Sequence, residues 1–344
     1  MHHQPKRRGF TILELVAIIV SFVVGFVVAV PTLEDNRDTA RQLKDSTQIR
    51  GIVQACAIWA QNNREQYPIP SRVDRNGSTL PRPDGLTCPD LRLDTTGNTL
   101  SMLIWNGFFP VELTVSPAEV GNVQVMADFM SVNPRTAVRP RQAFWDPAFR
   151  GTPLDEWGGK VPGAVGDAGH NSYAQVAYYG GRARLWTNTF SSVEACWGNR
   201  GPAYTLENGS WVPLEGSQFG DGSTTMRIHG GPTTWEGNIG FNDQHVEYLT
   251  RPDPDSLRWR FPAPEGRGNL QANDNVFHAE HDRTRAPIDE HIKPVQGADG
   301  RGTIRGTMAQ GGDGALDQRD NYLRPIARVI PGENSKITAE FWID

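Results

Sequence analysis

Apolar and polar positions divide this 344-residue chain into three unlike stretches. From Phe10 to Val30 almost every position is apolar, and Glu14 is the single charge. At about 1.5 Å per residue, a helix of that run would cover roughly the 30 Å of a bilayer's hydrocarbon core. Residues 32–66 are charged and rich in helix formers, and there Ile49, Ile52, Val53, Cys56, Trp59 and Ala60 recur at three- and four-residue steps. That spacing lays one apolar stripe along an amphipathic helix. Asp38 with Arg41 and Arg41 with Asp45 offer opposite-charge support, whereas Glu34 with Asp38 and Arg37 with Arg41 oppose it. Gly51 weakens the middle by about 1 kcal/mol relative to alanine. Pro68 and Pro70 are expected to end the helix.

After residue 66 the helical period fades. Residues 71–85 carry Asn-Gly and Asp-Gly and read as a turn-rich linker. Short candidate strands follow between glycines and prolines: VQVMADF, AQVAYYGG, ARLWTNTF, SWVPL, GNIGFNDQHVEYLT and KITAEFWID. In the fifth of these, Ile239, Phe241, Val246 and Leu249 bracket Asn242, Asp243 and Gln244, which predicts a hairpin with His245 opening its second strand. No internal repeat is visible. The expected class is therefore α+β, a long N-terminal helix packed on a β-rich, loop-rich head.

Composition narrows the function. The net charge is −5 with both signs interspersed, and no basic block carries interleaved aromatics, so nucleic acid is not an expected partner. Of the three cysteines, Cys56 falls on the helical stripe. Cys88 and Cys196 are the pair most able to form a disulfide in an oxidising compartment, and three separate thiols are the alternative.

The N-terminal segment holds the sharpest signal. Lys6, Arg7 and Arg8 precede the apolar run, which predicts a cytoplasmic amino terminus with everything after Val30 exported. A secretory signal peptide and a plain signal anchor are the alternatives. A carboxylate within a membrane helix costs about 3 kcal/mol at the centre and less near an end, so Glu14 needs a partner. A cut between Gly9 and Phe10 would create an α-ammonium four residues from Glu14. One subunit's amine could then neutralise another's carboxylate and set the register of packed helices. Pro31 removes a backbone donor at a cost of about 3 kcal/mol unless a bend is accommodated.

The stretch RRGFTILELVAII resembles the processing signal of type IV pilins and type II secretion pseudopilins. Gly9 matches the residue before the scissile bond, Phe10 the N-methylated terminus, Glu14 the glutamate near that terminus, and Pro31 a helix-kinking proline. Ile12 and Leu13 reverse the usual order. The resemblance implies cleavage and methylation by a prepilin peptidase and assembly with other pilin-like subunits through the N-terminal helix. It also implies a single-pass protein of the inner membrane with its head outside the cytoplasm. The implied division is a leader at 1–9, a transmembrane helix at 10–31, an exported helix at 32–66 and a head at 67–344. A second resemblance, to planctomycete-type pilin-like proteins, rests on CPDL at Cys88, NSYA at Asn171 and the segment from His229 to Leu249. There thirteen residues separate His229 from Asp243, and Gln244 stands where that pattern has glycine.

Catalytic signatures are missing: there is no GxSxG, phosphate loop, dinucleotide fingerprint or HExxH. No enzyme activity is expected. His278, His281, Asp282 and His291 form the richest polar cluster, but their spacing fits no metal-ligand pattern and arginines flank them. The resemblance to major pseudopilins brings in calcium, for which Asp299, Asp313, Asp317 and Asp320 are candidate oxygens, without EF-hand spacing. No other cofactor is expected. The rival from another class is an exported enzyme or carbohydrate-binding protein that uses a pilin-type signal, for which Trp145, Trp157 and Trp235 would be the exposed aromatics.

Overall fold

A computed structural model describes residues 12–82, 90–155, 168–262, 269–282, 286–288, 291–296, 302–309, 314–332 and 336–344. Helix α1 runs through Ile12–Gln61, continuous across Pro31 and Gly51. Its end is set by the turn after it rather than by Pro68 or Pro70. Asn62, Asn63 and Glu65 turn their amides back onto the carbonyls of Trp59 and Ala60 at 2.9–3.2 Å. Arg64 and Glu65 both take left-handed backbone, at φ 56° and 61°, which terminates helical geometry. Pro70 starts a helix instead of stopping one: α2, Pro70–Val73, has it in the first turn, where a missing N–H costs nothing.

The expected linker at 71–85 is, over its described part, packed structure. Asp74 is buried and its carboxylate accepts the amides of Ser78, Thr79 and Leu80 at 2.7–3.3 Å. Leu80 fills a small core with Leu93, Met102 and Trp145. Helix α3, Thr96–Trp105, was not expected from its Gly-Asn-Thr opening. Thr95 caps it by accepting the Asn98 amide at 3.2 Å, and nine of its ten residues are buried. Gly97 lets the first turn approach Gly151, since a Cβ there would lie 2.6 Å from the Gly151 nitrogen.

The rest is antiparallel sheet. Five strands pair in the order β11–β1–β2–β5–β6: β1 Tyr173–Val176, β2 Ala195–Asn199, β5 Gly237–Phe241, β6 Val246–Leu249 and β11 Leu323–Arg324. Hairpins β3 Tyr204–Glu207 with β4 Ser210–Pro213, and β7 Arg258–Pro262 with β8 Asn269–Asn273, stand apart. A four-stranded sheet, ordered β12–β13–β10–β9, contains β9 His291–Gln296, β10 Gly302–Ala309, β12 Ile326–Pro331 and β13 Ile337–Trp342. VQVMADF is not a strand; only Val123 makes an isolated bridge, to Gly169. ARLWTNTF lies partly in a 3-10 turn at Gly180–Leu185. Asn242 to Gln244 do turn between β5 and β6, with Gln244 at φ 71°.

The stripe Ile49, Ile52, Val53, Cys56 and Ala60 is fully buried in the main core, with Trp59 half-buried beside it. It lies on β5 at Gly240, where a Cβ would come within 2.8 Å of Val53 Cγ2 and 3.0 Å of Ile49 Cγ2. A side chain at that position would lift the helix off the sheet.

Two expectations are corrected here. Among the described residues, no helix is long and apolar enough to cross a membrane. The single-pass inner-membrane localisation, with its transmembrane helix, is overturned with it. In place of a pilin-like fold with a half-membrane helix, the chain has a sheet-rich fold around a five-stranded antiparallel sheet.

Candidate assembly surface and helix joint

The first turns of α1 are apolar and uncovered. Ile12 is 83% exposed and Phe22 75%, and Leu15, Val16, Ile18, Ile19 and Val20 are also exposed. Ser21 satisfies its hydroxyl within the helix by donating to the Ala17 carbonyl at 2.8 Å. Glu14 is exposed in the first turn, where the positive end of the helix dipole favours a carboxylate. Gly9 and Phe10, the proposed cleavage and methylation site, lie outside the described residues. Pro31 is inside the helix by its backbone.

Further along, the helix carries a charge that the sequence reading misassigned. Asp45 sits four residues before Ile49 on the buried face and is itself fully buried. Its partner is not Arg41, which pairs with Asp38 at 3.4 Å. Asp45 instead meets His229 Nε2 at 3.0 Å and accepts from Asn238 Nδ2 at 3.0 Å and the Tyr173 hydroxyl at 2.8 Å. Burial opposes ionisation, but the hydrogen bond and electrostatic attraction of His229, with bonds from Ser116 and Asn238, hold its carboxyl below the usual range. Gln48 extends the joint by donating to the carbonyls of Glu112 at 3.3 Å and Val115 at 3.1 Å. A carboxylate in line with an apolar helical stripe was the signal for this joint.

The remaining candidate residues scatter. His278 is buried against Trp211, 4.8 Å between ring centroids, and burial, helped by Arg324, pushes its pKa down to about 3. Such a histidine stays neutral, yet no group of metal-ligating side chains forms among the described residues. Asp282 accepts the Arg319 amide at 2.9 Å, and His281 donates its own amide to the Ala286 carbonyl at 2.9 Å. His291 is in β9. Of the calcium candidates, Asp299 and Asp313 lie outside the described residues and Asp317 ends a 3-10 turn. Asp320 is buried against Arg182 and accepts the Glu280 amide at 2.7 Å, so its oxygens are taken by protein donors.

Trp145 and Trp235 are core, not surface, with their indole N–H groups bonded to Asn98 Oδ1 at 3.0 Å and the Arg200 carbonyl at 2.8 Å. Trp157 lies outside the described residues, as does Cys88. Cys56 and Cys196 are free and buried, and burial raises both thiols, Cys56 to about 12. They are inert thiols by that measure. His245 contacts Asp243 across the hairpin turn, and its ring stacks on Phe241 at 4.4 Å, which accounts for both polar residues locally.

No protein-family model, curated protein or solved structure matches the chain.

Proposed function

We propose that this chain is a structural subunit that assembles with copies of itself through the first turns of α1, after a prepilin peptidase has cut between Gly9 and Phe10. The reading follows the resemblance of RRGFTILELVAII to type IV pilins and pseudopilins. The observation that carries it is the contrast along one helix. Residues 49–60 are seated in the head, while the apolar side chains of residues 12–22 are uncovered. Seven large apolar side chains there are 41–83% exposed, and burying that surface favours association by about 25 cal/mol per Å². The head then serves as the displayed part, and the subunit's work is packing, not catalysis.

Cysteines introduced at Ile18 or Phe22 in a Cys88→Ser chain provide the test, because the remaining Cys56 and Cys196 are buried. Mild oxidation should give disulfide-linked dimers and higher species, and co-expression with a prepilin peptidase should give a mature mass beginning at methylated Phe10. A chain that stays monomeric and uncut under both conditions would refute the proposal.

A further inference from the structure

Where α1 ends, the chain folds around a cleft of about 640 Å³, within the size range of small-ligand sites. Four kinds of side chain line it. Arg64, Arg72 and Arg75 supply guanidinium groups, Asn62, Asn63 and Gln66 supply amides, half-buried Trp59 supplies ring surface, and Ile69 and Val73 supply aliphatic surface, with Tyr67 buried behind them. No carboxylate is among its lining residues. That bias is local, because the chain as a whole carries a net charge of −5.

The described acidic residues nearest in sequence are held elsewhere. Glu65 turns away and accepts from Asn188 Nδ2 at 3.2 Å. Asp74 is occupied by the amides of Ser78 and Thr79, and Asp94 by the amide and hydroxyl of Ser71, both at 2.8 Å. The left-handed pair Arg64 and Glu65 produces this sorting, sending the cation to the cleft and the anion to the far side. Arg64 makes no ion pair among the described residues. Arg72 reaches Gln66 Oε1, which fixes its fork at the rim. The carboxyl end of a helix disfavours anions by about half a charge. Here the Asn63 side chain caps the Trp59 carbonyl at 2.8 Å, and the guanidinium groups of Arg64 and Arg72 outweigh the remainder.

We propose that this cleft binds an acidic saccharide, a sugar carrying carboxylate groups. Guanidinium forks match the planar carboxylate in a bidentate way. The amides of Asn62, Asn63 and Gln66 donate to and accept from ring hydroxyls. Trp59, half-buried at the cleft, offers the apolar surface that a pyranose face covers. The site is independent of the assembly surface, at the opposite end of α1.

Titration calorimetry of the full-length chain with trigalacturonate, maltotriose, ATP and inorganic phosphate tests this. Trigalacturonate should bind, maltotriose should not, and R64Q and R75Q, both exposed positions, should each weaken binding by about tenfold at unchanged melting temperature. Equal affinity for inorganic phosphate would reduce the site to a charge patch and overturn the saccharide assignment, as would tighter binding of ATP. No binding of trigalacturonate, or binding indifferent to both substitutions, would overturn the site itself.

Discussion

His229 and Asp45 are 184 residues apart in sequence, and their side chains meet at 3.0 Å with both almost wholly buried. This pair joins the long helix to the loop before β5. Because Asp45 also receives Asn238 and Tyr173, Asp45→Ala removes an acceptor from three buried donors, leaving Tyr173 only Gln48 Oε1 and Asn238 only the Gln42 carbonyl. We expect a loss of about 3–5 kcal/mol in urea unfolding, with Asp45→Asn milder. A double-mutant cycle with His229→Ala should be strongly non-additive. A D45A chain within 1 kcal/mol of wild type would remove the joint from the account.

Acid should act partly through His278. Its folded pKa, about 3, lies below the ordinary 6.5, so between those values only the unfolded chain takes the proton. Stability attributable to His278 is therefore full above about pH 6.5 and declines as pH falls toward 3. Asp94 and Asp155, pushed up to about 7 by burial, act with the opposite sign and lose stability as pH rises toward 7. The difference between wild type and His278→Phe isolates the histidine, and it should shrink steadily from pH 7 to pH 4. A difference constant with pH would contradict the assignment.

The buried Arg182 guanidinium faces Asp320, donates to the Asp320 carbonyl at 2.8 Å and the Ala315 carbonyl at 2.5 Å, and lies 5.2 Å from the Tyr322 ring centre. Nearby Asp274 is held protonated to higher pH by burial and by the Asp320 carboxylate. Arg182→Met strands that carboxylate and should cost about 3–5 kcal/mol by chemical denaturation. Adding Asp320→Asn should recover part of the loss. No recovery would mean that the two carbonyl bonds, not the charge pair, carry the stability.

Gly97→Ala should destabilise by about 2 kcal/mol or more, because its methyl would press on the Gly151 nitrogen at 2.6 Å and the backbone on both sides must move. The check is a thermal melt, and an unchanged midpoint would show that the 151 loop yields freely.

For the assembly surface, Ile18→Lys with Phe22→Lys should abolish self-association while leaving the melting temperature of the head unchanged, since neither side chain is buried. Analytical ultracentrifugation reads the first and calorimetry the second. Association that persists in the double variant would put the contact elsewhere.

The buried stripe of α1 was legible because Ile49, Ile52, Val53 and Cys56 keep a helical period that only packing explains. The β5–β6 hairpin was legible for a similar reason, a turn between two apolar pairs. Helix α3 was not, because Gly97, Asn98 and Thr99 are poor helix formers and the helix is held by burial and the Thr95 cap. The β3–β4 turn, with Asn208 at φ 49° and Gly209 at φ 82°, had a clear Asn-Gly signal that went unused. Proline misled only at the far end, where Pro70 opens α2 instead of closing α1. The saccharide cleft was invisible in sequence because its sorting of Arg64 from Glu65 depends on two consecutive left-handed residues.

The glycine seat at Gly240 has a mechanical consequence. With Ile49 and Val53 lodged over it and Asp45 tied to two separate segments of the head, a pull along α1 is not borne at the surface. It loads the central strands β2 and β5 in shear, where many hydrogen bonds must break together. Sliding the helix out of the head would require Ile49 and Val53 to lift off Gly240 and Asp45 to release its partners in the same step.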